Sequence, residues 1–253
     1  MYNDEQFEEL EREERLLTDE SIAIMLYILA NTRDNLEREL RSFYNQYGKD
    51  GVVTYAEARK WVSEKDHQRR LTALTLYASY EFASALEKLK IEFERMIKSV
   101  IGKENGFFDV EADWELILNT KWGSDNSTWL TRLENDVDLW NVRITSDWKR
   151  ALLQRKKIDE VLEMLDDRFT SIEAVMNKLG LTESTAIGSI ARKKIFQELG
   201  VTKYQFYTKP DERRCETCGE MHGLVFPISA YEIGVTASPL HPHCRCWEIP
   251  IKE

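Results

Sequence analysis

Cys215-Glu216-Thr217-Cys218-Gly219, followed further on by His241-Pro242-His243-Cys244-Arg245-Cys246, is the stretch around which the chain is organised. All four cysteines and three of the four histidines lie within it. Thiolate and imidazole are the donors zinc prefers, and Cys-x-x-Cys lets two sulfurs hold one metal from a tight turn. Gly219 directly after the pair predicts a turn with positive φ. Cys215, Cys218 and Cys244 lead as ligands. The fourth is either Cys246 or His241. Cys244 and Cys246, two apart, would share one face of a strand, which suits a four-cysteine site. His241 and Cys244, three apart around Pro242, would suit a three-cysteine, one-histidine site. His222 and His243 rank behind these as packing or surface histidines, and His67, in a charged segment, is expected to be solvated.

A structural zinc site is closed, whereas a catalytic one keeps a position open beside a general acid or base. Zinc nucleobase deaminases place His-x-Glu before Pro-Cys-x-x-Cys; here Cys-x-x-Cys comes first, and no His-x-Glu precedes it. A His-Asn-His nuclease needs a further His and Asn set, and residues 219–240 supply only His222 and no asparagine. The expectation is a structural zinc ion and no enzyme. Two disulfides are the competing reading of four cysteines, but they suit secreted chains. The acidic N-terminus lacks the basic-then-apolar pattern of a secretion signal. The longest apolar run, Ile22 to Ala30, is about half of a membrane span, so no membrane partner is expected.

Outside this stretch the pattern is helical. Met25, Leu29, Leu36, Leu40, Phe43 and Tyr47 recur at helical spacing until Gly48 and Gly51. The carboxylate-rich first twenty residues suggest a solvated helix face or a frayed end. Thr54 and Glu57 form a capping box before Trp61. Leu71 to Val100 predicts a long amphipathic helix with Phe82, Leu89, Phe93 and Met96 on its stripe, broken at Gly102 to Gly106. Asp125-Asn126-Ser127 offers an N-cap for a helix whose stripe is Trp129, Leu133, Val137, Trp140, Ile144, Trp148 and Leu152. At this spacing the tryptophans indicate core rather than a ligand platform. Two shorter helices follow, the second ending at Gly180, and Thr182 caps a third with Ala186, Ile190 and Phe196 inward. Tyr204–Tyr207, Gly223–Ile228 and Trp247–Ile251 then predict three strands around the cysteines. The expected fold is mostly α, with long helices and a small C-terminal α+β zinc-binding domain. Residues 1–105 form a helical N-terminal region, 106–180 a helical middle region and 181–253 the zinc-stapled domain.

A net charge of −10 argues against a global field for nucleic acid. Arg192, Lys193 and Lys194, with Lys203 and Lys209, nevertheless make a local basic patch. It is either a DNA contact or an ordinary solvated helix face.

The motif Tyr204-Gln205-Phe206, Asp211-Glu212-Arg213-Arg214-Cys215-Glu216-Thr217-Cys218, Met221-His222-Gly223-Leu224-Val225-Phe226 and Pro239-Leu240-His241-Pro242-His243-Cys244-Arg245-Cys246 resembles the C-terminal signature of the phage Mu F-like minor head proteins, also called head morphogenesis proteins. Thr182-Glu183 is similar to that family's Arg-Thr-Glu helix, with Leu181 where the arginine usually stands. The resemblance covers roughly the last 75 residues and the middle weakly. It implies a non-enzymatic virion component of a tailed bacteriophage, inside the head and near the portal, found in the host cytoplasm during assembly. The portal protein, a major capsid or scaffolding protein and packaged DNA are the implied partners. Head assembly and genome packaging or delivery are the implied roles. The alternatives are a nuclease- or toxin-like zinc enzyme module and a helical adaptor with a zinc cap.

Overall fold

The computed structural model describes residues 4–53 and 65–251. Thr54, Glu57 and Trp61 lie outside them, as does the side chain of His67. Among the described residues, five helices precede the C-terminal sheet: α1 (Asp4–Tyr47), α2 (Lys65–Phe108), α3 (Trp114–Leu118), α4 (Trp129–Leu153) and α5 (Ile158–Glu198). A two-stranded hairpin, β1 (Gly48–Lys49) and β2 (Val52–Val53), follows α1. Its tip is Asp50 and Gly51, both at positive φ (54° and 74°), the backbone a two-residue hairpin turn requires. The sequence reading foresaw the stop at Gly48 but not this strand pair.

Helix continuity is where the fold departs most from expectation. α2 runs through Gly102 and Gly106, and α5 runs unbroken through Phe169–Ser171 and Gly180, so the three helices expected over this span are one. A helical glycine costs about 1 kcal/mol against alanine, an amount that packing along a long helix offsets. Gly180 has a different reason to be there. A Cβ at this position would lie 2.8 Å from Cγ1 of Ile22, so the missing side chain permits close approach. Thr182 is no cap; its hydroxyl donates back to the carbonyl of Lys178 at 2.7 Å. Thr128, rather than Asp125–Ser127, caps α4 by accepting from the amide of Thr131 at 3.2 Å.

The chain divides into two compact units, and the expected boundaries at 105/106 and 180/181 fall inside α2 and α5. One unit comprises Ile24–Lys90 and Leu133–Met176. Its core holds Met25, Leu29, Leu36 and Leu40 of α1 with Leu133, Val137, Trp140, Ile144 and Trp148 of α4. Phe82 stacks on Phe169 with centroids 6.4 Å apart. The amide of Ile158 donates to the carbonyl of Gly51 at 2.9 Å and ties the hairpin to the start of α5. Tyr44 donates to the carbonyl of Lys156 at 3.2 Å, and burial pushes its phenol up to about 12.

The other unit comprises Met1–Ala23, Ile91–Arg132 and Asn177–Glu253. Here the acidic first turns of α1 are packed rather than merely solvated: Phe7, Leu10, Glu14 and Thr18 are buried. Phe7 meets Phe107 and Phe108 at 5.0 and 5.9 Å, and Phe93 stacks on Trp129 at 5.6 Å. The unit carries β3 (Lys203–Thr208), α6 (Glu216–Met221), β4 (Val225–Pro227) and β5 (Cys246–Ile251). These strands form an antiparallel sheet in the order β4-β3-β5, with Gln205 opposite both Val225 and Ile249, and Thr208 opposite Cys246. Tyr204, Phe206 and Thr208 are buried, so the central strand shows the alternation expected of it. The architecture is predominantly helical with a small C-terminal sheet, as the sequence predicts.

Candidate metal centre

Three elements bring the thiols together. Cys215 is the N-cap of α6, its sulfur accepting from the amide of Cys218 at 3.4 Å. One helical turn then presents Cys215 and Cys218 on the same side. Gly219 belongs to this helix; the left-handed glycine is Gly223 (φ 84°), whose amide donates to the carbonyl of Phe206 at 2.8 Å. On the other side the His241–Cys244 turn closes with the amide of Cys244 on the carbonyl of His241 at 3.2 Å. His243 occupies its left-handed position (φ 62°). Cys246 opens β5. Phe206, Cys218, Cys244 and Cys246 are buried together, with Met221, Phe226 and Leu240 packed around them.

The donor atoms form two triads sharing Cys218. In Cys215–Cys218–His241 and in Cys218–Cys244–Cys246, all ligand atoms lie within 4.8 Å of one another. Nε2 of His241 is 3.2 Å from both the Cys215 and the Cys218 sulfur, and the Cys218 and Cys244 sulfurs are 3.8 Å apart. Tetrahedral zinc with Zn–S of about 2.3 Å demands S···S of about 3.8 Å and S···N of about 3.5 Å. These three separations match such an ion to within a few tenths of an ångström. Nδ1 of His241 lies 2.8 Å from the carbonyl of Pro242. Donation there fixes the tautomer that leaves Nε2 free to ligate.

The thiols titrate as one group. Hydrogen bonding from Cys218 and Cys246 holds Cys244 far below the usual thiol range, and the same contacts push Cys218 and Cys246 up. Burial would raise Cys215, but the amide and sulfur of Cys218 and the His241 ring outweigh it and hold it down. Burial would lower His241, but the Pro242 carbonyl and the Cys244 and Cys215 sulfurs outweigh it and raise it. His222 stands apart from the cluster. Its Nδ1 accepts from the amide of Thr208 at 3.2 Å and its ring packs on Tyr207 at 4.9 Å, which is the packing role expected of it.

The basic patch does not assemble as expected. Arg192 is 5% exposed. Its Nε donates to Glu104 at 2.6 Å, its Nη1 to Glu248 at 3.1 Å, and its Nη2 lies 3.6 Å from Glu14. A guanidinium held by three buried carboxylates cannot reach a phosphate. Lys193 and Lys194 line a cleft of about 960 Å³ together with Lys121, Arg132 and His241, and Lys193 donates to the carbonyl of Tyr231 at 2.8 Å. Lys203 is exposed at the start of β3, and Lys209 is half-buried just past its end.

Two ionic pairs around this region join residues that the sequence shows only one by one: Glu183, Asp211 and Arg245 stand in the motifs quoted above, but nothing in the sequence pairs them. Arg132 donates to Glu183 at 2.6 Å, to Asp125 at 2.7 and 2.9 Å, and to the carbonyl of Trp122 at 2.5 Å, with its guanidinium 4.2 Å above the Trp122 ring. Trp122 in turn donates its indole N–H to Glu183 at 2.9 Å. Arg245, between two of the cysteines, grips Asp211.

A family model described as Phage Mu protein F like protein matches residues 143–249. The match begins inside α4, covers α5 and the sheet as far as Ile249 of β5, and includes all five candidate ligands, but it spans less than half of the chain. It supports a distant relationship to that family. The matched family is one of structural head-morphogenesis proteins, with which a non-enzymatic role is consistent. Searches of curated proteins and of solved structures return no match. Among the described residues, no helix is long and apolar enough to cross a membrane.

Proposed function

We propose that the chain is a minor structural protein of a tailed-phage head, lying inside the head near the portal and supporting head assembly and genome packaging or delivery. The observation that carries this reading is the family match over residues 143–249, because it brackets the whole thiol–imidazole cluster. The test is co-expression with the ring-forming portal protein of the same phage. Co-purification and incorporation into assembled heads are expected; a chain recovered in neither would overturn the reading.

The cluster is proposed to hold a structural zinc ion through Cys215, Cys218, His241 and Cys244. Zinc supplies four bonds that cross-link α6 to the His241–Cys246 segment, and a small sheet with a modest core depends on such a staple. Five donors compete for four positions. His241 is preferred over Cys246 because its Nε2 already stands against two sulfurs and its tautomer is set. Cys246 then serves as a buried thiol beside the site.

Contact with packaged DNA is part of the same reading, carried by Lys193, Lys194, Lys203 and Lys209 without Arg192. Replacing Lys194 and Lys203 by glutamate is expected to weaken DNA binding and flatten its salt dependence. Unchanged affinity and slope would remove DNA from the list of partners.

A further inference from the structure

The buried cluster around Arg192 contains more negative charge than its one guanidinium can balance. Glu14 comes from α1, Glu104 from α2, Arg192 from α5 and Glu248 from β5, and all four are buried. Glu248 is fully supplied with donors: the amide of Ser238 at 2.6 Å, the Tyr231 hydroxyl at 2.9 Å, Arg192 Nη1 at 3.1 Å and the Ser189 hydroxyl at 3.2 Å. Burial raises the Glu248 carboxyl, and Arg192, the Ser238 amide and the Tyr231 hydroxyl work against that rise. Glu14 and Glu104 then share what remains of Arg192, both reaching its Nη2. A Cβ placed on Gly188 would sit 3.3 Å from that Nη2, 3.5 Å from Oε1 of Glu104 and 3.6 Å from Oε2 of Glu14. The two carboxyl groups thus crowd one small space that a glycine keeps open. Their other oxygens, Oε1 of Glu14 and Oε2 of Glu104, are buried and find no donor among the described residues.

Two buried carboxylates that close, with unpartnered oxygens, call for a shared positive species. A metal ion is disfavoured by the guanidinium beside them. A proton is not: it turns one carboxylate into a donor for the other. We infer that Glu14 and Glu104 hold one proton between them, and that this proton latches the first turns of α1 onto the Arg192 cluster. Burial and the neighbouring Glu104 charge push Glu14 well above the usual carboxylate range, against the pull of Arg192. The charged groups facing Glu14 are Glu11 on its own helix, Glu104 and Arg192, with Glu248 beyond the guanidinium. Arg15 and Arg245 stand at the edge of an adjoining cavity of about 30 Å³. One turn on, the Thr18 hydroxyl meets that of Ser184 at 2.6 Å, so Glu14 and Thr18 together fasten α1 to α5.

The sign follows from linkage. The closed state binds a proton that an exposed glutamate releases, so closure weakens as pH rises from the ordinary carboxyl value of 4.5 toward the raised value of Glu14. The test is amide hydrogen exchange of residues 7–18 in the full chain, corrected for the intrinsic rate, between about pH 5.5 and about pH 8.5. Opening of these amides is expected to rise about tenfold per pH unit within that window, until the pair has ionised. Glu14→Gln, a stand-in for the protonated acid, is expected to remove the slope and keep the segment protected at high pH. Glu104→Gln is the second variant, expected to do the same should the first fail to fold. A wild-type protection that does not change with pH overturns the inference, since a bridging water would then account for the two oxygens. So does a slope that persists unchanged in both variants.

Discussion

Arg245 holds Asp211 by two parallel hydrogen bonds, Nη2 to Oδ1 at 2.6 Å and Nη1 to Oδ2 at 2.8 Å. This fork joins the residue between Cys244 and Cys246 to the segment leading into Cys215, so it crosses the proposed metal site from outside. Groups that orient ligands in this way typically change metal affinity about 10–100-fold when removed. Asp211→Asn is therefore expected to release zinc to a chelator at least about tenfold more readily than the wild type. Equal retention would mean that the fork is ornamental to the site. The hydrogen bonds from Arg245 also draw the Asp211 carboxyl down to about 2. Its contribution is thus fully present above the ordinary value of 3.8 and is lost as pH falls through about 2.

The choice between His241 and Cys246 can be decided by elemental analysis. Cys215→Ser and His241→Ala are each expected to lose stoichiometric zinc, whereas Cys246→Ser should keep it. The reason is geometric: removing Cys246 leaves three sulfurs and one imidazole, a complete tetrahedron. Zinc loss in Cys246→Ser with retention in His241→Ala would assign the fourth position to the thiol instead.

The parts of the fold that were legible in the sequence are those governed by local periodicity. The tryptophan stripe of α4 is buried at Trp129, Trp140 and Trp148, and the three strands around the cysteines appear where alternation predicts them. Five ligand candidates within one short stretch do converge, because the turns that gather them are encoded beside them. What was illegible depends on distant partners. Gly180 looks like a helix stop, yet its neighbour is Ile22 on another helix. Arg192 looks like one of three adjacent surface cations, yet its three carboxylates come from three other elements. Charge in a sequence says little about burial when the counter-charges are far along the chain.

The Gly180–Ile22 approach leads to a packing prediction. Gly180→Leu forces a branched side chain against Cγ1 and Cδ1 of Ile22, which lie 2.8 and 3.0 Å from the ideal Cβ position. Overpacking of this kind costs about 1–3 kcal/mol. Adding Ile22→Ala should recover part of that loss in denaturant unfolding. An unchanged midpoint for Gly180→Leu alone would show that the two helices can separate without cost.

Arg132 and Glu183 make the sharpest electrostatic case. Glu183 is 1% exposed and, among the described residues, accepts from Arg132 and from the Trp122 indole. Burial pushes its carboxyl up, and Arg132 opposes the shift. Arg132→Ala removes the cation bonded to this carboxylate, and breaking a buried pair from one side costs about 3–5 kcal/mol. The loss should depend on pH in a definite direction. A glutamate whose folded value is raised contributes most at low pH and destabilises as it ionises, so the cost of Arg132→Ala should be larger near pH 8 than near about pH 5. Glu183→Gln in the same background removes the stranded charge and keeps an oxygen for the indole. The double variant should accordingly unfold closer to the wild type than Arg132→Ala does, with a flatter pH profile. Additive losses in the double variant, or a cost of Arg132→Ala that does not grow with pH, would show that Glu183 is stabilised by something other than this arginine.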